Sequence, residues 1–259
     1  MKLCRFVPLD EGAPGHVHSG IVEGDAVVEI QGQPWSPGER TGREWRIDTI
    51  KFLPPSTPSK IVCVGRNFAA HASELGNELP KEPLIFLKPP SSIIAPEEPI
   101  LLPSVSKRVD FEGELAIVIG RRCSRPRADE NINSYVAGYT CLNDVTARDL
   151  QKPDGQWWRA KGCDTFCPFG PVLETDLSPG ATVETFVNGI RKQSGSISDW
   201  IFSPNVIIRW IAQVMTLEPG DVVAMGTPEG VGPLSGGDTV DVVVTGIGSL
   251  RNTVVASQE

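Results

Sequence analysis

The chain has 259 residues, 40% of them hydrophobic and 22% charged, enough for one large domain or one domain with a small appendage. It carries 24 Lys and Arg against 32 Asp and Glu, a formal net charge of −8, so it repels a phosphate backbone and no nucleic-acid partner is expected. No apolar run approaches the roughly 20 residues of a membrane-crossing helix, and the opening residues lack the apolar stretch of a secretion signal. No membrane partner is expected, and a cytoplasmic location is.

Residues 1–55 read as a small β-rich subdomain. Val17–Val22 and Asp25–Ile30 form short strand patterns around a turn at Gly24. The proline-rich stretch from Pro54 to Ser59 then reads as an extended connector, which places the second unit at residues 60–259. That unit opens on a strand, Lys60–Gly65, and a short helical pattern from Phe68 to Leu75. A strand at Leu84–Leu87 and extended pieces at Ser91–Ile94 and Pro99–Pro103 follow. The strongest strand pattern is Asp110–Gly120. Residues 129–137 read as a short helix and Tyr135–Asp144 as a strand with a polar end. Val206, Ile207, Trp210, Ile211 and Val214 recur at helical spacing within Ser203–Met215, and strands are expected at 221–225, 239–245 and 250–255. Strands outnumber helices and do not alternate with long ones, so the expected class is mainly β with a few short helices, an α+β fold.

Six cysteines are present, and Cys163 and Cys167 are spaced C-x3-C with no second close pair. That argues against a zinc site and for free thiols acting as small hydrophobes. No serine-hydrolase elbow appears, and Gly226–Gly232 lacks the lysine of a phosphate-binding loop.

In Asp110–Ile119, strand alternation puts Glu112 and Glu114 on one face with Ala116 and Val118. Two carboxylates so close repel unless a cation neutralises them or one is protonated. A solvated strand end would also accommodate an E-x-E pair. Asp144, at the polar end of another apolar strand, is a candidate third ligand, although spacing alone does not bring it to the pair. Oxygen-only ligands suit a hard cation: Mg2+, with Mn2+ or Ca2+ as alternatives. His71 and Glu74 lie at i and i+3 on the short helical pattern, where a carboxylate can orient an imidazole base. A surface pair without function fits the same spacing. Lys161, beside Trp157 and Trp158, can bind an anion or a developing enolate, although an isolated surface lysine is the commoner case.

Six segments in order, Gly65–His71, Leu84–Pro89, Asp110–Leu115, Asn143–Gln151, Lys161–Phe166 and Gly226–Gly232, resemble the fumarylacetoacetate hydrolase family over roughly residues 60 to 255. The resemblance implies a rolled mixed β-sandwich, a homodimer, and a divalent metal held by the residues matching Glu112, Glu114 and Asp144. It places the family's histidine–glutamate dyad on His71 and Glu74, and the groups around the bound oxo acid on Arg66, Gln151, Lys161 and Thr227. The lysine is followed by serine in many relatives and here by Gly162, which leaves substrate preference open. The activity implied is metal-dependent hydrolysis of a C–C bond in acylpyruvate-type 2-oxo or diketo acids. Isomerisation of hydroxymuconate-type diacids and decarboxylation of oxaloacetate are its alternatives. A catalytically silent ligand-binding protein on the same fold is the reading of a different class.

Overall fold

A computed structural model of the chain describes residues 1–11, 15–70 and 79–256. Its first five strands are β1 (Lys2–Pro8), β2 (His18–Glu23), β3 (Ala26–Gln33), β4 (Ser36–Arg46) and β5 (Ile50–Leu53). Then follow β6 (Ile61–Gly65), β7 (Leu84–Lys88), β8 (Ile93–Ile94), β9 (Ile100–Leu102), β10 (Val109–Phe111), β11 (Gly113–Ile119), β12 (Val136–Asn143) and β13 (Thr146–Ala147). Two one-turn helices, α1 (Arg148–Gln151) and α2 (Trp158–Lys161), lead into β14 (Cys167–Glu174), β15 (Thr182–Val187) and β16 (Ile190–Ser196). Helix α3 (Pro204–Val214) precedes β17 (Val222–Ala224), β18 (Gly232–Pro233), β19 (Thr239–Val244) and β20 (Gly248–Ala256).

A twelve-stranded sheet runs in the order β4-β3-β2-β1-β14-β12-β11-β17-β6-β7, with β5 added to β1 and β8 to β14. A five-stranded sheet, β16-β15-β19-β20-β9, packs against it, and β13-β10-β18 form a small third sheet. The mixed, mainly β architecture is the one expected. The N-terminal strands are hydrogen-bonded into the large sheet, because Lys2 and Leu3 of β1 pair with Glu174 and Leu173 of β14.

The turn at Gly24 joins β2 to β3, and Gly24 takes φ +65, as a tight hairpin requires. Asp110–Gly120 is interrupted at Glu112: β10 belongs to the third sheet and β11 to the large one. Residues 132–135 form a 3-10 turn, shorter than the expected helix, before β12 begins at Val136. Helix α3 lies where its period placed it, with Pro204 in its first turn, where a missing N–H costs nothing. Its buried face is Ile207, Ile208, Ile211 and Ala212, whereas Val206 and Val214 are exposed. Each fully buried isoleucine contributes about 1.5–3 kcal/mol.

Strand β11 is buried on both faces, which is why it reads as an unbroken apolar run. Leu115, Ile117 and Ile119 meet Val183, Val242, Val244 and Ile207 between the sheets. Ala116 and Val118 meet Leu142, Phe169 and Ala224 on the other side. This doubly anchored strand carries the acidic pair at its start.

Candidate active site

Glu112 occupies the break between β10 and β11, and Glu114 is the second residue of β11. Antiparallel pairing sets Gly113 opposite Asn143, so the next residue along, Asp144, falls beside Glu112. The Asp144 backbone N–H donates to the Glu112 carbonyl at 2.8 Å. One ligand oxygen from each of Glu112, Glu114 and Asp144 lies within 4.8 Å of the others, and all three residues are buried.

Cations answer most of this charge. The Lys161 ammonium donates to Glu112 Oε2 at 2.7 Å and to Asp144 Oδ2 at 2.6 Å, and its side chain is only 2% exposed. It is no isolated surface lysine. Lys88, equally buried, donates to Asp144 Oδ1 at 2.6 Å and to the Val145 carbonyl at 3.1 Å. Arg148 spans Asp110 at 2.9 Å, Gln151 Oε1 at 2.6 Å, and Glu112. Burial alone would lower the Lys161 pKa, but the charges of Asp144 and Glu112 outweigh it and raise the group above its ordinary value.

Glu114 is the carboxylate left over. Its Oε2 accepts from the Gly226 N–H at 2.7 Å, and among the described residues it has no ion pair. Burial, followed by the charges of Asp144 and Glu112, pushes its pKa well above the carboxylate range. Two like unit charges 4 Å apart repel by about 4 kcal/mol at an effective permittivity near 20. An oxygen-only donor set with an uncompensated negative charge fits a divalent cation.

The carboxylates form the floor of a cavity of about 590 Å³ whose lining includes Arg66, Phe86, Arg148, Gln151, Lys152, Trp157, Lys161 and Thr227. The four residues expected around a bound acid, Arg66, Gln151, Lys161 and Thr227, are thus brought together. Phe86 and Trp157 form an edge-to-face wall with centroids 5.2 Å apart, and the Lys161 ammonium sits 4.8 Å from the Phe86 ring centre. Arg66 takes φ +58, a left-handed conformation that costs a non-glycine residue about 1–2 kcal/mol and is a strain tolerated at functional sites. The Thr227 hydroxyl donates to the Gly113 carbonyl at 2.8 Å and accepts from Gln193, so its proton is committed to the protein. At Gly162 a Cβ would lie 2.5 Å from the Trp158 carbonyl, so the turn after Lys161 is tighter here than a serine allows. His71 and Glu74 lie outside the described residues.

Lys88 and Arg148 were not singled out from the sequence. Arg148 carried a readable signal, since its i, i+3 spacing to Gln151 puts both on one face of a helix. Lys88 carried no periodic signal, being one lysine at the end of an apolar strand, and only its place in the Leu84–Pro89 segment of the family resemblance marked it.

Two family descriptions match the chain: "Fumarylacetoacetate (FAA) hydrolase C-terminal" over residues 60–255, and "Rv2993c-like, N-terminal" over residues 1–55. Protein Rv2993c of Mycobacterium tuberculosis is 48% identical over 261 residues, covering 98% of both chains. Oxaloacetate tautomerase YisK of Bacillus subtilis is 39% identical over 265 residues, covering 94% of this chain and 88% of its own. Among solved structures, 5-carboxymethyl-2-hydroxymuconate delta-isomerase from Mycobacterium smegmatis superposes with a TM-score of 0.90 at 45% identity, over 99% of this chain and 100% of that one. Fumarylpyruvate hydrolase from Pseudomonas aeruginosa, in complex with Mn2+ and pyruvate, gives 0.72 at 30% identity over 76% and 90%. With its acidic triad, its rolled β architecture and these matches, the chain belongs to the fumarylacetoacetate hydrolase family of enzymes.

Proposed function

We propose that the protein is a divalent-metal-dependent enzyme that takes small 2-oxo acids through their enols, with isomerisation or keto–enol tautomerisation as its reaction. The observation that carries this reading is the convergence of Glu112, Glu114 and Asp144 on the floor of a cavity that also presents Lys161, Gln151 and Arg66. The three carboxylates would hold Mg2+, with Mn2+ or Ca2+ as alternatives. When bound, the cation supplies Lewis-acid polarisation of the substrate's 2-oxo group.

The chain's own residues supply the rest. Lys161 spends two N–H bonds on carboxylates and keeps a third for a developing oxyanion. Arg148 occupies Gln151 Oε1, which leaves the Gln151 amide N–H groups as donors toward a substrate. Arg66 offers a guanidinium to a substrate carboxylate. Phe86 and Trp157 keep water from one side of the cavity.

The names of relatives lean toward enol chemistry without C–C cleavage: the isomerase shares 45% and the tautomerase 39% identity over nearly the whole chain, against 35% for a fumarylacetoacetate hydrolase from Exiguobacterium antarcticum over 99% of the chain and 30% for the fumarylpyruvate hydrolase over 76%. Hydrolysis of acylpyruvates is the second reading, supported by that hydrolase's capture of Mn2+ and pyruvate. It uses His71, oriented by Glu74, to deprotonate the attacking water. Decarboxylation of oxaloacetate is a third outlet of the same enol, and a homodimer is the assembly that goes with the family.

The test is a panel of oxaloacetate, acylpyruvates and muconate-type diacids, assayed after chelation and again with Mg2+ or Mn2+. Turnover only with metal is expected, and equal turnover after chelation sinks the reading. In His71→Ala, hydrolysis should vanish while tautomerisation persists. An unchanged hydrolysis rate removes the dyad from the account.

A further inference from the structure

Gly113 separates the two glutamates of the acidic pair, and while one edge of β11 at that residue is paired with Asn143 of β12, the edge that faces β17 has no paired strand there among the described residues. Strand β17 pairs with β11 only from Val118 to Ala116, and the Met225 N–H extends the ladder by one bond to the Leu115 carbonyl at 3.0 Å. Beyond it the chain turns away at Gly226, whose N–H goes to the Glu114 carboxylate. The backbone groups of Gly113 are buried and need partners of another kind.

Gln193 provides them. It stands on β16 of the five-stranded sheet and is 1% exposed. Its Oε1 accepts from the Gly113 N–H at 3.0 Å. Its Nε2 donates to Thr227 Oγ1 at 2.7 Å and to the Pro228 carbonyl at 2.7 Å, and Thr227 in turn donates to the Gly113 carbonyl. One side chain thus holds both the acidic strand and the loop that lines the cavity. Both amide protons are spent, so the amide has a single orientation.

The close packing around this contact leaves no slack. A Cβ on Gly113 would lie 2.0 Å from Thr185 Oγ1, one on Gly195 2.6 Å from the Pro228 Cβ, and one on Gly230 2.1 Å from the Lys192 carbonyl. Strands β15 and β16 therefore press directly on the Glu112–Gly113–Glu114 backbone and on the 226–230 loop. On the opposite edge, the Glu112 carbonyl accepts from the Asp144 N–H at 2.8 Å, so the Glu112–Gly113 peptide is pinned from both sides, and Asn143 Oδ1 holds the preceding N–H of Glu112 at 3.0 Å.

We propose that Gln193 is a positioning residue that fixes the separation of the Glu112 and Glu114 carboxylates, and the place of Thr227, before any cation binds. The proposal rests on the reading of Glu112, Glu114 and Asp144 as metal ligands. Tilting the Gly113 peptide changes the distance between its two flanking carboxylates, and a cation that demands near-octahedral geometry, as Mg2+ does, tolerates little such change.

The test is Mn2+ titration of the chelator-stripped, full-length protein, with free Mn2+ read by electron paramagnetic resonance. Wild type and Q193M are compared, since methionine keeps the length and removes all three hydrogen bonds. The expected result is Mn2+ binding weakened about 10–100-fold in a variant whose circular dichroism is unchanged. A glutamine that merely fills space lowers the melting temperature and leaves Mn2+ affinity within about twofold, which overturns the proposal. Failure of wild type to bind Mn2+ overturns the metal reading instead. Amide exchange at Gly113 in the metal-free wild type is a second measurement, and it needs no variant. Protection matching that of Ile119, whose N–H donates to the Asp221 carbonyl at 2.9 Å on the same strand, is expected, and free exchange that slows only when Mn2+ is added overturns the role of Gln193.

Discussion

Glu114 and Lys88 are both neighbours of Asp144 and respond oppositely to removal of charge. Glu114 is the buried carboxylate without an ion pair among the described residues, so Glu114→Gln removes repulsion while its carbonyl oxygen can still accept from Gly226. In chelator the variant should be more stable than wild type by about 1–2 kcal/mol, a fraction of the bare repulsion between neighbouring carboxylates. Its Mn2+ affinity should nevertheless drop at least about tenfold. A lower melting temperature in chelator would contradict the electrostatic account. Lys88→Met has the other sign: Asp144 loses the buried partner at Oδ1, and breaking such a pair costs about 3–5 kcal/mol. Urea unfolding of the metal-free variant measures it. A loss below about 1 kcal/mol would mean that Lys161 alone satisfies Asp144.

The β3–β4 hairpin holds another buried carboxylate, Glu29, which is not among the residues lining the cavity. Burial alone would raise the pKa of Glu29, but hydrogen bonds from Thr41, Arg43 and His18 outweigh it and bring it from 4.5 to about 2. His18 Nδ1 lies 2.6 Å from Glu29 Oε1, and the His18 ring is stacked on Phe6. A depressed carboxylate stabilises the fold above its ordinary pKa and loses that contribution as pH falls from 4.5 to about 2. The full difference corresponds to roughly 3 kcal/mol, reduced by screening because Arg43 is exposed. Glu29→Gln should therefore lower the urea midpoint at pH 7 and flatten its fall between pH 4.5 and 2. An unchanged slope there would assign the acid sensitivity to other groups. Elements also differ in how openly they announce themselves. Helix α3 was legible because Val206, Ile207, Trp210, Ile211 and Val214 recur at helical spacing, although only Ile207 and Ile211 of these lie on its buried face. Strand β14 was not, because Pro168, Gly170 and Pro171 break the expected pattern of a strand. The β15–β16 hairpin did carry a local sign, the Asn188–Gly189 turn with both residues at positive φ.

The two sheets meet at the acidic strand, so whatever binds there is linked to the stability of the whole molecule. A cation held by the native site and not by the unfolded chain stabilises by about 2.7 kcal/mol at a free concentration 100 times its Kd. For a chain of this size that raises the melting temperature by roughly 5–10 °C, reversed by chelator. Calorimetry with and without Mn2+ checks it, and an unchanged transition would leave the triad without a cation.

The sequence by itself determined what depends on local geometry. Glu112 and Glu114 share a face because strand side chains alternate, and that relation survived the break in pairing at Glu112. The strand-rich class, the turn at Gly24 and helix α3 follow from the same short-range periods. Only the tertiary structure decided what completes the acidic pair. Asp144 reaches it through the pairing of β11 with β12, across 31 residues from Glu112 to the Asn143 side chain. Lys161, 49 residues from Glu112, and Gln193, 80 from Gly113, come from a one-turn helix and from another sheet. Their sequence neighbourhoods are unremarkable, because a buried charge or amide is specified by the partners that fold around it, and no local period encodes those partners.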